Sequence, residues 1–239
     1  MQLATGLHVL GSDPHGTVNS YLVVDGGEVT IIDAGLPAQR RLLVDELRSI
    51  GLTLDAVQAL VLTHGDTDHI GYAAWLFAQR GIPARVHSED VDRARKEVSK
   101  PSTGWGPMKV GAMGGFLWYS ARHGGLRIPA VEEVAPFTDG DVLDVPGKPR
   151  IIHVPGHTPG SVAVHVPGAD ALFLGDAMTT RNVLTGVEGP KPAPFTLDPA
   201  QARDSLDRIE AVDATWVLPG HGPAWDGGVR EAVRLIRQG

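Results

Sequence analysis

Residues 17–24 and 28–32 are runs of β-branched and aliphatic residues on either side of Asp25-Gly26-Gly27, and predict two strands joined as a hairpin. From Pro37 the apolar period lengthens. Leu36, Leu43, Leu47 and Ile50 share one helical face, Arg40, Arg41, Asp45, Glu46 and Arg48 lie mostly elsewhere, and Gly51 supplies a stop. The apolar run 57–63 predicts a buried strand, followed by a short helix over about 70–80 and a strand over 84–87. Further strands are predicted at 142–145, 150–154, 161–166, 171–174 and 215–218. Asp198-Pro199 opens a helix whose inner face is Ala202, Leu206 and Ile209, and Val229, Val233 and Ile236 mark another. Between 88 and 130 the pattern breaks: a charged stretch, then Pro and Gly, then Trp105, Phe116, Trp118 and Tyr119. That segment reads as a helical, lid-like insertion, or more plainly as a helical hairpin packed on the sheet. Strands with interspersed helices in both halves suggest two similar half-domains, each a sheet covered by helices on one side, within a single domain spanning 1–239.

Composition narrows the function classes. Hydrophobic residues at 42% and charged residues at 21% exclude a disordered or fibrous chain. With no cysteine, a disulfide scaffold, a cysteine nucleophile, a thiolate zinc finger and an iron–sulfur cluster are excluded. The 21 Lys and Arg against 28 Asp and Glu leave a net charge of −7, which argues against nucleic acid or an anionic membrane as partner. No apolar run has the length of a membrane span, and the first residues lack the basic region of a signal peptide, so a cytoplasmic protein is expected.

The candidate chemistry sits at strand ends. His64-Gly65-Asp66-Thr67-Asp68-His69 directly follows the apolar run 57–63. Crowded carboxylates next to an apolar strand need a compensating cation, and imidazole and carboxylate together suit zinc, manganese or iron. A polar turn capping the next helix is the plainer reading for any one of these residues, but not for the whole cluster. Three later strands end in the same manner, at His157, Asp176 and His221, each beside Gly or Pro. Loops at four strand ends can converge on one sheet edge, which makes His64, Asp66, Asp68, His69, His157, Asp176 and His221 a set of candidate metal ligands.

With these residues in this order the chain resembles the metallo-β-lactamase superfamily, whose motif is His-x-His-x-Asp-His followed by a His, a bridging Asp and a last His. The resemblance runs from Asn19-Ser20-Tyr21-Leu22 through Ile32-Asp33-Ala34-Gly35 to Gly220-His221-Gly222. It implies a four-layer αβ/βα sandwich with metals at one edge of the two sheets. It also implies that His64 and His157 bind a first divalent ion, that Asp68, His69 and His221 bind a second, and that Asp176 bridges them. Asp33 matches a position that supports the metal loop. Asp66 departs from the motif, standing where the family has its second His. A carboxylate there is harder than imidazole, so alongside two Zn²⁺ it admits iron or manganese, or a single bound metal.

The activity implied is hydrolysis by metal-activated water, with Asp68 orienting that water and Asp176 setting the spacing of the ions. The resemblance to nuclease, true β-lactamase and glyoxalase-II branches is poorer, which leaves a small ester, thioester or lactone as substrate. Trp105, Phe116, Trp118 and Tyr119 are candidates for its apolar wall, or form the core of their own segment; Arg181 and Asn182 are candidates for a polar group. The competing readings are an iron-dependent oxidoreductase, of flavodiiron or persulfide-dioxygenase type, and a low-activity metal-binding protein. The partners expected are a small-molecule substrate and, as one open oligomeric state, a second copy of the chain in a dimer.

Overall fold

Strand residues alternate between two apolar environments, and that alternation sets the architecture. The computed structural model describes residues 1–11, 15–98 and 107–238. β1 (Gln2–Ala4), β2 (Leu7–Val9), β3 (Tyr21–Asp25), β4 (Glu28–Ile32), β5 (Val57–Val61), β6 (Ala84–His87) and β7 (Val134–Phe137) form a seven-stranded sheet in sequence order. It is antiparallel up to β4 and parallel from there to β7. β8 (Arg150–His153), β9 (Val162–Val166), β10 (Ala171–Gly175) and β13 (Trp216–Pro219) form a second sheet, ordered β13-β10-β9-β8. β11 (Thr179–Arg181) and β12 (Glu188–Lys191) pair as a separate hairpin.

Tyr21, Val23, Ile32 and Val61 of the first sheet share a core with Val164, Phe173 and Leu218 of the second. Their strand neighbours Leu22, Ile31 and Leu60 point the other way, onto Leu43 and Leu47 of α1 (Arg40–Ser49) and Leu76 of α2 (Ala73–Arg80). On the far side, Ala163, Leu172 and Val217 meet Leu206, which follows α5 (Pro199–Ser205), and Val229, Val233 and Ile236 of α6 (Val229–Gln238). The period of two therefore feeds three cores and yields helix, sheet, sheet and helix, the expected αβ/βα sandwich. Phe173 is fully buried with Tyr21 edge-on at 5.3 Å, at a site where truncation to Ala costs about 3–5 kcal/mol.

Most predicted elements appear. Gly51 has φ +77° just beyond α1, and Asp198 caps α5 by accepting the Gln201 N–H at 2.9 Å with Pro199 in the first turn. Three differences have physical causes. The run 142–145 is not a strand: it makes one bridge, Val142 to Arg150, and then turns through Pro146-Gly147, with Leu143 tucked into the inter-sheet core. β3 begins at Tyr21 because residues 17–19 bond instead to the loop 219–222. β1, β2, β7, β11 and β12 were not anticipated. They are three or four residues long, and β7 carries Pro136 at the edge of its sheet, where a missing N–H is tolerated. The segment 88–130 holds α3 (Val91–Ala94) and α4 (Val110–Arg122), while Trp105 lies outside the described residues. No described helix is long and apolar enough to cross a membrane.

Candidate metal centre

The loop after β5 is anchored from its neighbour β4. Asp33 sits just past β4 with φ +60°, a left-handed conformation that Asp tolerates better than most residues. Its Oδ1 accepts the Thr63 N–H at 2.8 Å, and its Oδ2 accepts Thr63 Oγ1–H at 2.8 Å and His69 Nδ1–H at 2.9 Å. The start and the end of the 63–69 loop thus hang on one buried carboxylate. Thr63 also reaches the second sheet, its carbonyl accepting the Val162 N–H at 2.9 Å.

Each of the four candidate histidines has its Nδ1 engaged away from the centre. His64 Nδ1 lies 3.1 Å from Thr63 Oγ1, whose proton goes to Asp33. His157 Nδ1 lies 3.2 Å from Thr196 Oγ1, whose proton goes to the Ala193 carbonyl. His221 Nδ1 lies 2.6 Å from the Thr17 carbonyl. Nδ1 is the donor in every case, so all four Nε2 atoms face inward, where they could ligate a cation.

The inward atoms meet three carboxylates. His157 Nε2 is 3.2 Å from Asp66 Oδ2 and 3.5 Å from Asp176 Oδ2. His64 Nε2 is 3.8 Å from Asp66 Oδ2, and His69 Nε2 is 3.6 Å from Asp176 Oδ1. His221 Nε2 is 3.4 Å from both Asp68 Oδ2 and Asp176 Oδ2. Two donors bound about 2.1 Å from one tetrahedral ion lie about 3.4 Å apart, so this spread fits shared cations better than hydrogen bonds. Among the described residues, buried His64 Nε2, His69 Nε2 and Asp176 Oδ1 have no hydrogen-bond partner, which a folded protein tolerates only where something else satisfies them. The donors fall into overlapping groups, His64 with Asp66 and His157, and Asp68 with His69 and His221; Asp176, grouped with His64 and His69, lies between them. The residues fit two divalent cations. Gly220 completes the cradle: a Cβ there would lie 2.5 Å from both Asp176 Oδ1 and His69 Cε1.

Charge is distributed unevenly. Burial, seconded by the charge of His69, holds the His64 imidazole well below its ordinary range and hence neutral. Burial also works to lower His69 and His221, but the neighbouring carboxylates outweigh it, raising His69 well above 6.5 and His221 to about 10. Burial works to raise Asp68, but the adjacent His221 imidazole, with the charges of His69 and His221, holds it at about 2. Asp176 is likewise held low against burial, chiefly by His221. Without a cation, protons on His69 and His221 offset the carboxylates.

Two residues that bind these loops together escaped the sequence reading. Asp90 is fully buried; its Oδ2 accepts the Gly65 N–H at 2.8 Å and Thr158 Oγ1–H at 2.7 Å, and its Oδ1 accepts the Gly160 N–H at 2.9 Å. It joins the loop of His64 to the loop of His157, and a Cβ on Gly160 would lie 2.7 Å from the Asp90 Cβ. Arg93, one turn further along, places Nη1 2.9 Å from Asp66 Oδ1. Both lie in the charged stretch that opens the 88–130 segment, where no local pattern separates a buried acid from an exposed one.

Of the candidate substrate contacts, Phe116, Trp118, Tyr119 and Arg181 line one cleft of about 290 Å³ together with His15 and His123, while Asn182 lies outside it. Phe116 is edge-on to His221 with ring centres 6.1 Å apart, and lines a cleft of about 620 Å³ with Asp66, Asp68, Arg93 and Ile128. Trp118 is 68% exposed, so it is not a core residue of its own segment. Tyr119 stacks on His123 at 4.1 Å and packs against the outer core of the first sheet. Arg181 pairs with Glu188 across the β11–β12 hairpin and donates to His15 Nδ1. Asn182 Oδ1 accepts the N–H groups of Leu184 and Thr185, closing the turn of that hairpin. A further group, His87, Glu89 and His153, lies apart. Its two imidazoles stack 4.2 Å apart with planes 13° off parallel, so their lone pairs do not converge on one point.

Comparison with known proteins agrees with this geometry. Residues 13–221 match the family described as "Metallo-beta-lactamase superfamily". The "Probable metallo-hydrolase YflN" of Bacillus subtilis (strain 168) is 29% identical over 225 residues, 89% of this chain and 78% of that protein. The metallo-beta-lactamase family protein TTHA1429 from Thermus thermophilus superposes with a TM-score of 0.69 at 25% identity, covering 99% of this chain and 80% of that one. The structure of TTHA1623 in a di-iron-bound form superposes with a TM-score of 0.61 at 27% identity, covering 92% and 94%. The layering of the two sheets, the strand-end donors and this match over most of its length lead to one conclusion: the chain belongs to the metallo-beta-lactamase superfamily.

Proposed function

We propose that the cluster holds two divalent cations and that the protein hydrolyses a small ester, thioester or lactone. The observation that carries this reading is the convergence of four inward Nε2 atoms and three carboxylates, with His64 Nε2, His69 Nε2 and Asp176 Oδ1 otherwise unsatisfied. When bound, the cations would polarise a substrate carbonyl and bring the pKa of a coordinated water toward neutrality. His64, Asp66 and His157 would hold one cation, Asp68, His69 and His221 the other, and Asp176 both. Zn²⁺ is the expected metal. The extra carboxylate of Asp66 and the di-iron-bound relative support iron or manganese as the alternative.

Asp68 places Oδ2 beside His221 and leaves Oδ1 to accept a hydrogen bond from the attacking water, take its proton, and return that proton to the leaving group. The carboxylate is ionised at neutral pH, as a proton acceptor must be. Phe116 shields one side of the cluster from water and gives an acyl group an apolar surface. The test is a panel of esters, thioesters and lactones assayed on the metal-loaded protein, with Asp68→Asn beside it. The expected result is turnover of at least one class, abolished by chelation and about 10²–10⁴-fold lower in the variant when both proteins are compared at matched metal occupancy. Undiminished turnover by Asp68→Asn contradicts the role of Asp68. Oxygen consumption with a thiol or persulfide, and no hydrolysis, replaces the reading with an iron-dependent oxidoreductase.

A further inference from the structure

We infer that Asp66 and Arg93 together stand in for a neutral imidazole, and that Arg93 thereby sets the cation affinity of the first site. This rests on the two-cation reading above and concerns a residue that bonds to no cation itself. The two oxygens of the Asp66 carboxylate face different groups. Its Oδ2 faces His157 Nε2 at 3.2 Å and His64 Nε2 at 3.8 Å, while its Oδ1 meets Arg93 Nη1 at 2.9 Å. One oxygen belongs to the cluster and the other to the guanidinium.

Arg93 is only 8% exposed, so its charge is poorly screened. It cannot swing away cheaply, since Asp90 Oδ1 lies 3.9 Å from its Nε and both side chains are buried. A carboxylate in place of imidazole adds one negative charge to the first site, and the buried guanidinium cancels it. The second site has no such counterweight: among the described residues, the ion-pair partner of Asp68 is His221, itself a candidate ligand. Asp90 beside Arg93 and Asp33 beside His69 add one further carboxylate to the surroundings of each site, so two sites with similar donors differ in net charge by about one unit. The first site binds its cation more weakly than the second and exchanges it first. The competing explanation is purely structural, with Arg93 tying the 64–69 loop to α3.

The experiment is equilibrium Zn²⁺ binding to the full chain, by competition with a chromophoric chelator, for wild type, Arg93→Gln, Asp66→His and the double variant. Wild type is expected to bind two Zn²⁺ with unequal affinities. Arg93→Gln should tighten the weaker site about tenfold or more, because a cation next to the ligand is gone. Asp66→His should weaken that site, leaving Arg93 beside a neutral ligand, and adding Arg93→Gln to it should restore affinity to near the wild-type level. A structural role predicts the opposite sign, with Arg93→Gln loosening Zn²⁺ in both backgrounds, and that result overturns the inference. Arg93→Lys keeps the charge and loses the planar fork. It should stay within about threefold of wild type; tightening as large as that of Arg93→Gln also overturns the inference. Failure of wild type to bind Zn²⁺, iron or manganese at all sinks the two-cation reading itself, a separate result.

Discussion

Asp33 commits both carboxylate oxygens to Thr63 and His69 from a left-handed backbone position, and so orients two candidate ligands from outside the cluster. Asp33→Asn keeps the shape but turns one acceptor oxygen into a donor facing Thr63 or His69. The expected result is a second-site Zn²⁺ affinity about 10–100-fold lower, read by competition titration, with the first site less affected. Equal loss at both sites would point to general unfolding instead. At this scale the sequence was most legible where chemistry is local. His64 to His69 stand in one loop, and His157, Asp176 and His221 each follow an apolar strand beside Gly or Pro. Asp90 and Arg93 were illegible because their partners lie on loops about 25 and 70 residues away, and nothing near them in sequence distinguishes a buried acid from a solvated one.

The loops between elements carry the site, and their bracing is tertiary. Asp90 connects the loop after β5 to the loop after β8 through three hydrogen bonds made from full burial. Asp90→Ala should lower the free energy of unfolding by about 3 kcal/mol or more in urea titrations, since it leaves buried donors without an acceptor. The exposed neighbour Asp92→Ala should change it by no more than about 0.5 kcal/mol. Equal effects would show that Asp90 braces nothing. Long elements with strong periodicity were legible: α1 by Leu43 and Leu47, α6 by Val233 and Ile236, β5 by its apolar run. The short edge strands were not, because three or four residues give no period to detect and pairing alone decides them. The run 142–145 shows the converse, where apolar alternation arises from Leu143 plugging a core rather than from a strand.

Across the whole molecule, two sheets with helices outside leave one edge where β5, β8, β10 and β13 deliver their loops together, and the apolar layers around it keep the charges there coupled. That coupling sets the pH behaviour. In the metal-free protein His221 is raised to about 10 from 6.5, so its contribution to stability is complete below 6.5 and lost as pH rises through about 10. Asp68 is lowered to about 2 from 3.8, so its contribution is complete above 3.8 and lost as pH falls through about 2. Cations compete with the proton on His221. Zn²⁺ affinity should therefore rise as pH is raised from about 6 to 9, with protons released on binding; an affinity independent of pH would contradict this charge arrangement. Two sheet-and-helix halves were legible from patterning, and the sandwich itself from the family resemblance that the strand-end residues carry. The asymmetry between the two halves of the site was not, because it depends on where Arg93 folds. The most direct measurement is metal content per chain by elemental analysis, on wild type loaded and then dialysed, with His64→Ala and His221→Ala alongside. Two cations per chain in wild type and fewer in each variant is the predicted result. No retained metal, or retention unchanged by both substitutions, would contradict a two-cation centre at these residues.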